Sequence, residues 1–291
     1  MSQANLVLDT RVFLGEGPIW DQEQEKLWWI NIFQGELYCF DPKRNENTRY
    51  SMGQQIGTVV LRESGGLAVA LEKGFYGFDP TDGELNLILD PEPDHPGNRF
   101  NDGKCDPTGR FWAGTMEKAE EKATGSLYCL DQQGKCHARE TGIFISNGIT
   151  WTQDGKTMYY IDSPTRKVDA YEFDLETGNI SSRRTAIEIP EGLGYPDGMA
   201  IDVNDDLWIA MWGGWCVAKF DPRNGKLLET IDLPVANVTA CAFGGAELNE
   251  LFITTARKGI PDEELGKQPH AGSLFHAVTD VTGTTFAKYG G

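Results

Sequence analysis

Five side chains able to hold a cation or move a proton recur at one kind of place along the chain. Glu16, Asn101, Asp102, Asn147 and Asp197 each stand at a polar-glycine step that opens an apolar run, as in Glu16-Gly17-Pro18-Ile19-Trp20, Asn147-Gly148-Ile149 and Asp197-Gly198-Met199. Carboxylates and amides brought to one point make an oxygen-rich site, which hard cations such as Ca²⁺, Mg²⁺ and Mn²⁺ prefer. Asp-Gly and Asn-Gly are also ordinary turn dipeptides. Asp82-Gly83, Asp154-Gly155 and Asn224-Gly225 read that way, as hairpin turns between strands. Gly17, Gly103, Gly148 and Gly198 differ, because each precedes an apolar strand in the same phase of a repeat.

The repeat is what must bring these residues together. Each polar step leads to an apolar strand, an Asp/Gly turn, and a strand rich in aromatics, such as Leu27-Trp28-Trp29-Ile30, Met158-Tyr159-Tyr160-Ile161 and Leu207-Trp208-Ile209. Thr239-Ala240-Cys241 with Leu251-Phe252-Ile253 is a weaker copy. A second half-pattern, of the type Gly-Glu-Leu-Tyr-Cys-Phe-Asp-Pro, appears at 35–42, 74–80, 125–131, 170–178, 217–222 and 272–277. Its alternation has the period of a β-strand. The spacing of the copies is about that of a four-stranded propeller blade, and a lone blade cannot bury both of its faces. The expected architecture is therefore all-β, a six-bladed β-propeller with four-stranded blades forming one domain over 1–291. Helical turns are expected only at Glu117–Ala123 and Asp262–Gln268. Asn5–Leu8 reads as a strand without a blade, and the tail around Thr285–Tyr289 as the end of an incomplete one. Pairing the N-terminal strand into the last blade would close the ring and remove an exposed sheet edge. Because innermost strands begin near the central channel, the polar steps would share one funnel.

Composition narrows the partners. Lys and Arg total 26 against 44 Asp and Glu, a net charge of −18. Such a field repels phosphate backbones and anionic bilayers and attracts cations. Neither nucleic acid nor a membrane is expected as a partner, and the chain is expected as a monomer or weak homo-oligomer acting on a small molecule. The residues Met1–Thr10 lack a basic region followed by an apolar stretch, so a cytoplasmic location is expected. Cys39, Cys105, Cys129, Cys136, Cys216 and Cys241 form no C-x-x-C pair and read as reduced thiols. His95, His137, His270 and His276 read as surface or loop residues, and Asp202–Asp206 as a solvated turn. No G-x-S-x-G, Walker A or G-x-G-x-x-G motif is present. The tryptophans at 28, 29, 208, 212 and 215 read as blade core, with Trp212-Gly213-Gly214-Trp215 as the one stretch also suited to a funnel mouth.

The chain resembles the regucalcin, gluconolactonase and luciferin-regenerating-enzyme family of six-bladed propellers. The resemblance is carried by Gly15-Glu16-Gly17-Pro18-Ile19-Trp20, Asn98-Arg99-Phe100-Asn101-Asp102-Gly103-Lys104, Gly109-Arg110-Phe111-Trp112-Ala113-Gly114-Thr115-Met116, Ile145-Ser146-Asn147-Gly148, Pro196-Asp197-Gly198-Met199, Cys241-Ala242-Phe243-Gly244-Gly245 and Thr254-Thr255-Ala256-Arg257-Lys258-Gly259. It implies one divalent cation, among Ca²⁺, Zn²⁺, Mn²⁺, Mg²⁺ and Fe(II), on Glu16, Asn147 and Asp197. It also implies sugar-lactone contacts from Arg99 and Asn101. At the place of the family's substrate-binding Glu this chain has Ala119, so Glu117, Glu120 or Glu121 would have to substitute.

That ligand set suits metal-dependent hydrolysis of a sugar lactone to its aldonic acid, with Asp197 taking the proton of the attacking water. Two alternatives stand beside it. One is a non-catalytic calcium-binding or regulatory propeller, and the other is a lactonase for a non-sugar lactone.

Overall fold

The apolar alternation of each repeat folds into a four-stranded antiparallel sheet, and six such sheets pack around one axis. The computed structural model describes residues 2–291. Blade 1 spans residues 15–51, blade 2 spans 56–89, blade 3 spans 98–143 and blade 4 spans 146–188. Blade 5 spans 195–232, with Ser2–Gln3 added in parallel outside Lys226–Asp232. Blade 6 is Val238–Gly244, Glu250–Thr255 and Leu274–Val278, and its fourth strand is Asn5–Leu8, antiparallel to Leu274–Val278. The fold is the six-bladed propeller that the repeat predicts.

Inner strands contact their neighbours all the way round, and that closeness constrains the sequence. A Cβ on Gly148 would lie 2.8 Å from the carbonyl oxygen of Asp197, on the next inner strand. A Cβ on Gly198 would lie 2.5 Å from Ala240 Cβ, one blade further on. The in-phase glycines are thus sites of close approach rather than hairpin turns. Every inner strand also breaks register with its neighbour at this level, between Glu16 and Ile19, Ile56 and Thr58, Phe100 and Gly103, Ser146 and Ile149, Pro196 and Met199, and Val238 and Ala240. Such bulges re-aim side chains. Blade 2 follows the same rule with Ile56-Gly57-Thr58, which has no acid or amide to mark it and so carries no polar signal in the sequence.

Aromatic residues seal the blades to one another. Trp20 stacks on Phe252 at 5.4 Å across blades 1 and 6, Trp112 meets Trp151 at 5.9 Å across blades 3 and 4, and Trp208 meets Phe243 at 5.7 Å across blades 5 and 6. Trp28, Trp29 and Trp208 are core, but Trp212 is half-buried and Trp215 exposed.

Three other expectations are corrected. Glu117–Ala123 forms turns and bends, because Glu117 ends a strand and its carboxylate caps the following turn; Asp262–Leu265 is a short helix. The tail does not complete a blade. It crosses the face remote from the inner-strand starts: Val203 N–H donates to Thr282 O, Tyr289 N–H to Leu61 O, and Gly290 N–H to Gly109 O. Asp202–Asp206 is a turn with Val203 and Asn204 exposed, but its end acids Asp202 and Asp206 are buried rather than solvated. Asp202 is fully buried, accepting from Trp208 Nε1 at 3.0 Å and pairing with Lys219 Nζ at 3.0 Å. Blade 3 repeats the device, with Trp112 Nε1 and Arg110 Nη1 both 3.0 Å from Asp106 Oδ2.

Asp202→Ala leaves the buried Trp208 indole N–H without its acceptor and takes the nearer carboxylate from the Lys219 ammonium, which keeps Asp206 at 3.4 Å. Leaving a buried donor unsatisfied typically costs about 1–3 kcal/mol. Urea unfolding followed by tryptophan fluorescence should show a loss of that size, against under about 1 kcal/mol for the exposed pair partner Glu264→Ala.

Candidate active site

At the end of the channel where the inner strands begin, five of the six blades, all but blade 2, line a cavity of about 460 Å³. The bulge level supplies its floor. Glu16 from blade 1, Asn101 from blade 3, Asn147 from blade 4 and Asp197 from blade 5 all line it. In an extended strand, alternate residues share a face. Accordingly Leu14, Arg99, Ile145 and Tyr195, each two residues earlier, line the same cavity nearer its mouth. Phe100, between Arg99 and Asn101, turns the other way and packs on Phe75 at 4.7 Å.

A hydrogen-bond chain fixes the floor. Arg99 Nη1 donates to Asn101 Oδ1 at 2.7 Å and to Phe100 O at 2.9 Å. Asn101 Nδ2 donates to Ser146 O at 2.7 Å and to Asn147 Oδ1 at 3.0 Å. Asn147 Nδ2 donates to Ser163 Oγ at 2.8 Å, and the Ser163 hydroxyl donates to Pro196 O at 2.6 Å. Because Ser163 spends its proton on Pro196, it must accept from Asn147. That settles which way the Asn147 amide points and leaves its oxygen towards Asn101.

The two carboxylates have no such support. Glu16 Oε2 accepts only from its neighbour's backbone, Gly17 N–H at 3.2 Å, and neither acid forms an ion pair among the described residues. Burial pushes the Glu16 carboxyl well above the ordinary carboxylate range, and repulsion from Asp197 and Asp102 adds to it. Asp197 is pushed up in the same direction by burial, then by Asp102, with Lys258 acting against. Burial likewise holds the Arg99 guanidinium down to about 10. Two buried acids in no ion-pair contact among the described residues, next to an oriented amide oxygen, fit a divalent cation held by Glu16, Asn147 and Asp197. All the donors are oxygen, the choice of a hard ion. Among the described residues no three His, Cys, Asp or Glu side chains form a metal-holding group.

Of the acids in the 117–121 loop, only Glu120 lines the cavity, where it pairs with Lys258 from blade 6. Glu117 does not line it. Its Oε2 accepts from Glu121 N–H at 2.9 Å and Lys122 N–H at 2.8 Å, which caps the turn that presents Glu120. Ala119 and Glu121 are exposed. Sequence reasoning passed over Ser163, Tyr195 and Lys258 as site residues, while Trp212, in the stretch suited to a funnel mouth, does line the cavity. Tyr195 was within reach of the two-residue rule that paired Arg99 with Asn101. Ser163 sits in a one-turn 3₁₀ helix and Lys258 in a loop, and neither place has a repeat phase to flag it.

The fold and this site define a propeller with a cavity at one end of its channel. The SMP-30/Gluconolactonase/LRE-like region matches residues 14–257, and the chain belongs to that family. It is 38% identical over 280 residues, 96% of both chains, to a Bacillus subtilis protein named "Putative sugar lactone lactonase YvrE". It is 36% identical over 283 residues to regucalcin of Xenopus laevis, covering 94% of this chain and 95% of that one. Its fold is similar to the solved structure of regucalcin, a calcium-binding protein from Agrobacterium tumefaciens, with a TM-score of 0.95 and 28% identity over 99% of this chain and 97% of that chain. No helix among the described residues is long and apolar enough to cross a membrane.

The raised carboxyls make a pH prediction. A carboxyl whose folded pKa lies above its unfolded value contributes stability below the unfolded value, near pH 4, and loses it as pH rises through the folded value. Cation-free protein should therefore lose this contribution above about pH 4. A bound divalent cation, which needs the ionised forms, should raise the melting temperature by an increment that grows from pH 5 to pH 8. Calorimetry with chelator and with added Ca²⁺ or Mn²⁺ checks this; an increment that does not change with pH counts against the assignment.

Proposed function

We propose that the chain hydrolyses a sugar lactone to the corresponding aldonic acid, using one divalent cation on Glu16, Asn147 and Asp197. The observation that supports this is the meeting of those three side chains with Arg99 and Asn101 in one cavity of a chain from this family. When bound, a divalent cation polarises the lactone carbonyl and offsets negative charge on its oxygen.

The chain's own residues supply the rest. Arg99 uses only Nη1 within the protein among the described hydrogen bonds, so Nε and Nη2 are free to donate to the lactone oxygens and fix its orientation. Asn101 spends both amide protons on Ser146 and Asn147, which leaves its oxygen, already holding Arg99, to accept from a ring hydroxyl. The Asp197 carboxylate takes a proton from the attacking water as the water oxygen bonds to the carbonyl carbon. The ring carbon–oxygen bond then breaks, and the ring oxygen leaves as a hydroxyl with the proton returned from Asp197. Apolar walls from Leu14, Met116 and Ile145 limit stray water around this step.

A second reading, a calcium-binding propeller without turnover, draws on the relatives named regucalcin. A pH-indicator assay on a panel of lactones, with and without chelator and paired with metal analysis, separates the two. Chelator-sensitive turnover of sugar lactones supports the proposal; a bound cation with no turnover of any lactone favours the second reading.

Two substitutions test the roles. Asp197→Ala should abolish stoichiometric metal and turnover while leaving the β-sheet circular dichroism intact; wild-type metal content would sink the ligand assignment. Arg99→Ala should lower kcat/KM by roughly ten- to a hundredfold, the equivalent of about 1.5–3 kcal/mol for a lost charged hydrogen bond. Its metal content should not change, since a guanidinium is no ligand, and loss of metal in that variant would overturn the division of roles.

A further inference from the structure

The cavity has a second storey above the polar floor, and we propose that it binds a second sugar ring, so that the substrate is a glycosylated aldonolactone. This rests on the lactonase reading and deepens it.

The layering follows from strand geometry. Tyr195 precedes Asp197 by two residues, which at about 3.3 Å per residue puts it nearer the mouth by roughly 6–7 Å on the same strand face. Its cross-strand partner is Trp212, and both line the cavity. Arg166 lies over the Tyr195 ring at 5.0 Å, and Gly259, which has no Cβ, leaves room beside Trp212 Cζ2. The floor is ionic and amide in character, whereas this storey joins the aromatic rings of Tyr195 and Trp212 to aliphatic Leu14 and Ile145. Among the described lining residues its charged groups are Arg99, Glu120 and Lys258.

That pair is built into the mouth. Lys258 N–H donates to Phe13 O at 3.0 Å and its carbonyl accepts from Asn237 Nδ2 at 2.8 Å, so the backbone is pinned while the ammonium reaches across to Glu120. Glu120 comes from a different blade, on a backbone at φ 57° that the Glu117 cap supports. Both side chains keep access to solvent, at 26% and 33%.

Aromatic faces beside a polar, still accessible ion pair match a ligand with a C–H face and a hydroxyl edge. That is a sugar ring. An alkyl chain would cover the same ion pair without offering it a hydrogen bond, which carries a desolvation cost. The cavity volume of about 460 Å³ also falls in the range of roughly 300–1,000 Å³ that encloses ligands larger than one small ring.

The test compares three lactones: gluconolactone, the same lactone with glucose linked at C4, and an alkyl-substituted δ-lactone. Expected is a kcat/KM for the glucosylated lactone at least tenfold above the other two. In Trp212→Ala the ratio of glucosylated to plain lactone should fall by about ten- to fiftyfold, and Trp212→Phe should restore most of it. Equal loss on both sugar lactones in Trp212→Ala, or preference for the plain or alkyl lactone, overturns the proposal. Binding of the non-hydrolysable disaccharide cellobiose, followed by calorimetry on the metal-loaded protein, keeps the test independent of turnover. If no lactone is hydrolysed but cellobiose binds tenfold tighter than glucose, and Trp212→Ala removes the difference, the lactonase reading falls and the second sugar position stands. If cellobiose binds no tighter than glucose, the second position falls.

Discussion

The crowding of six inner strands around one axis is the constraint on which the rest of the molecule depends. Gly148 and Gly198 sit where the next strand leaves no room for a Cβ. The bulges at that level turn Glu16, Asn147 and Asp197 into the channel instead of along the ladder. The same local device therefore makes the fold close and makes the site converge. A residue larger than glycine at these steps would push two blades apart and move the donor beside it by the same displacement.

This arrangement concentrates charge where water is scarce. Glu16, Asp102 and Asp197 are all buried near one another, and burial raises the carboxyl of each. Deeper in the channel Asp102 faces Lys104, whose ammonium bonds Met199 O and lies 4.8 Å from the Phe286 ring of the C-terminal tail. A cation and an aromatic ring thus stand on the tail side of the channel, whereas Glu120 and Lys258 stand at the cavity on the side of the inner-strand starts.

How much of this could be read from sequence depends on whether a feature has a period. Blade number, the third strand of every blade and the floor residues Glu16, Asn101, Asn147 and Asp197 all recur in phase, so the repeat exposed them. Blade 2 opens on Ile56-Gly57-Thr58, which keeps the bulge but lacks the polar marker, so its inner strand was silent. Loops have no phase at all. Nothing in Glu117-Lys118-Ala119-Glu120 tells which acid faces the cavity, because the answer is set by a cap: Glu117 bonds two amides ahead of it and Glu120 is left to reach Lys258. The Asp202 turn was misread for a related reason. Its composition is that of a solvated loop, and only the indole of Trp208 and the ammonium of Lys219, from other strands, draw it inside.

On the lactonase reading proposed above, a field of −18 and the cavity fit together through the product. A lactone is neutral, so the acidic surface neither steers nor repels it on entry. Ring opening creates a carboxylate inside the site, and from that moment the surrounding acids disfavour its staying. Arg99 and Lys258 are the opposing attractions, and both are tempered. Arg99 is buried against neutral acceptors with its ammonium-like charge disfavoured by desolvation, and Lys258 already holds Glu120. A free lysine at the mouth would trap the anion; one neutralised by a glutamate from the opposite loop can donate a hydrogen bond to a sugar hydroxyl without doing so. The pair thereby allows recognition of a neutral substrate and release of a charged product.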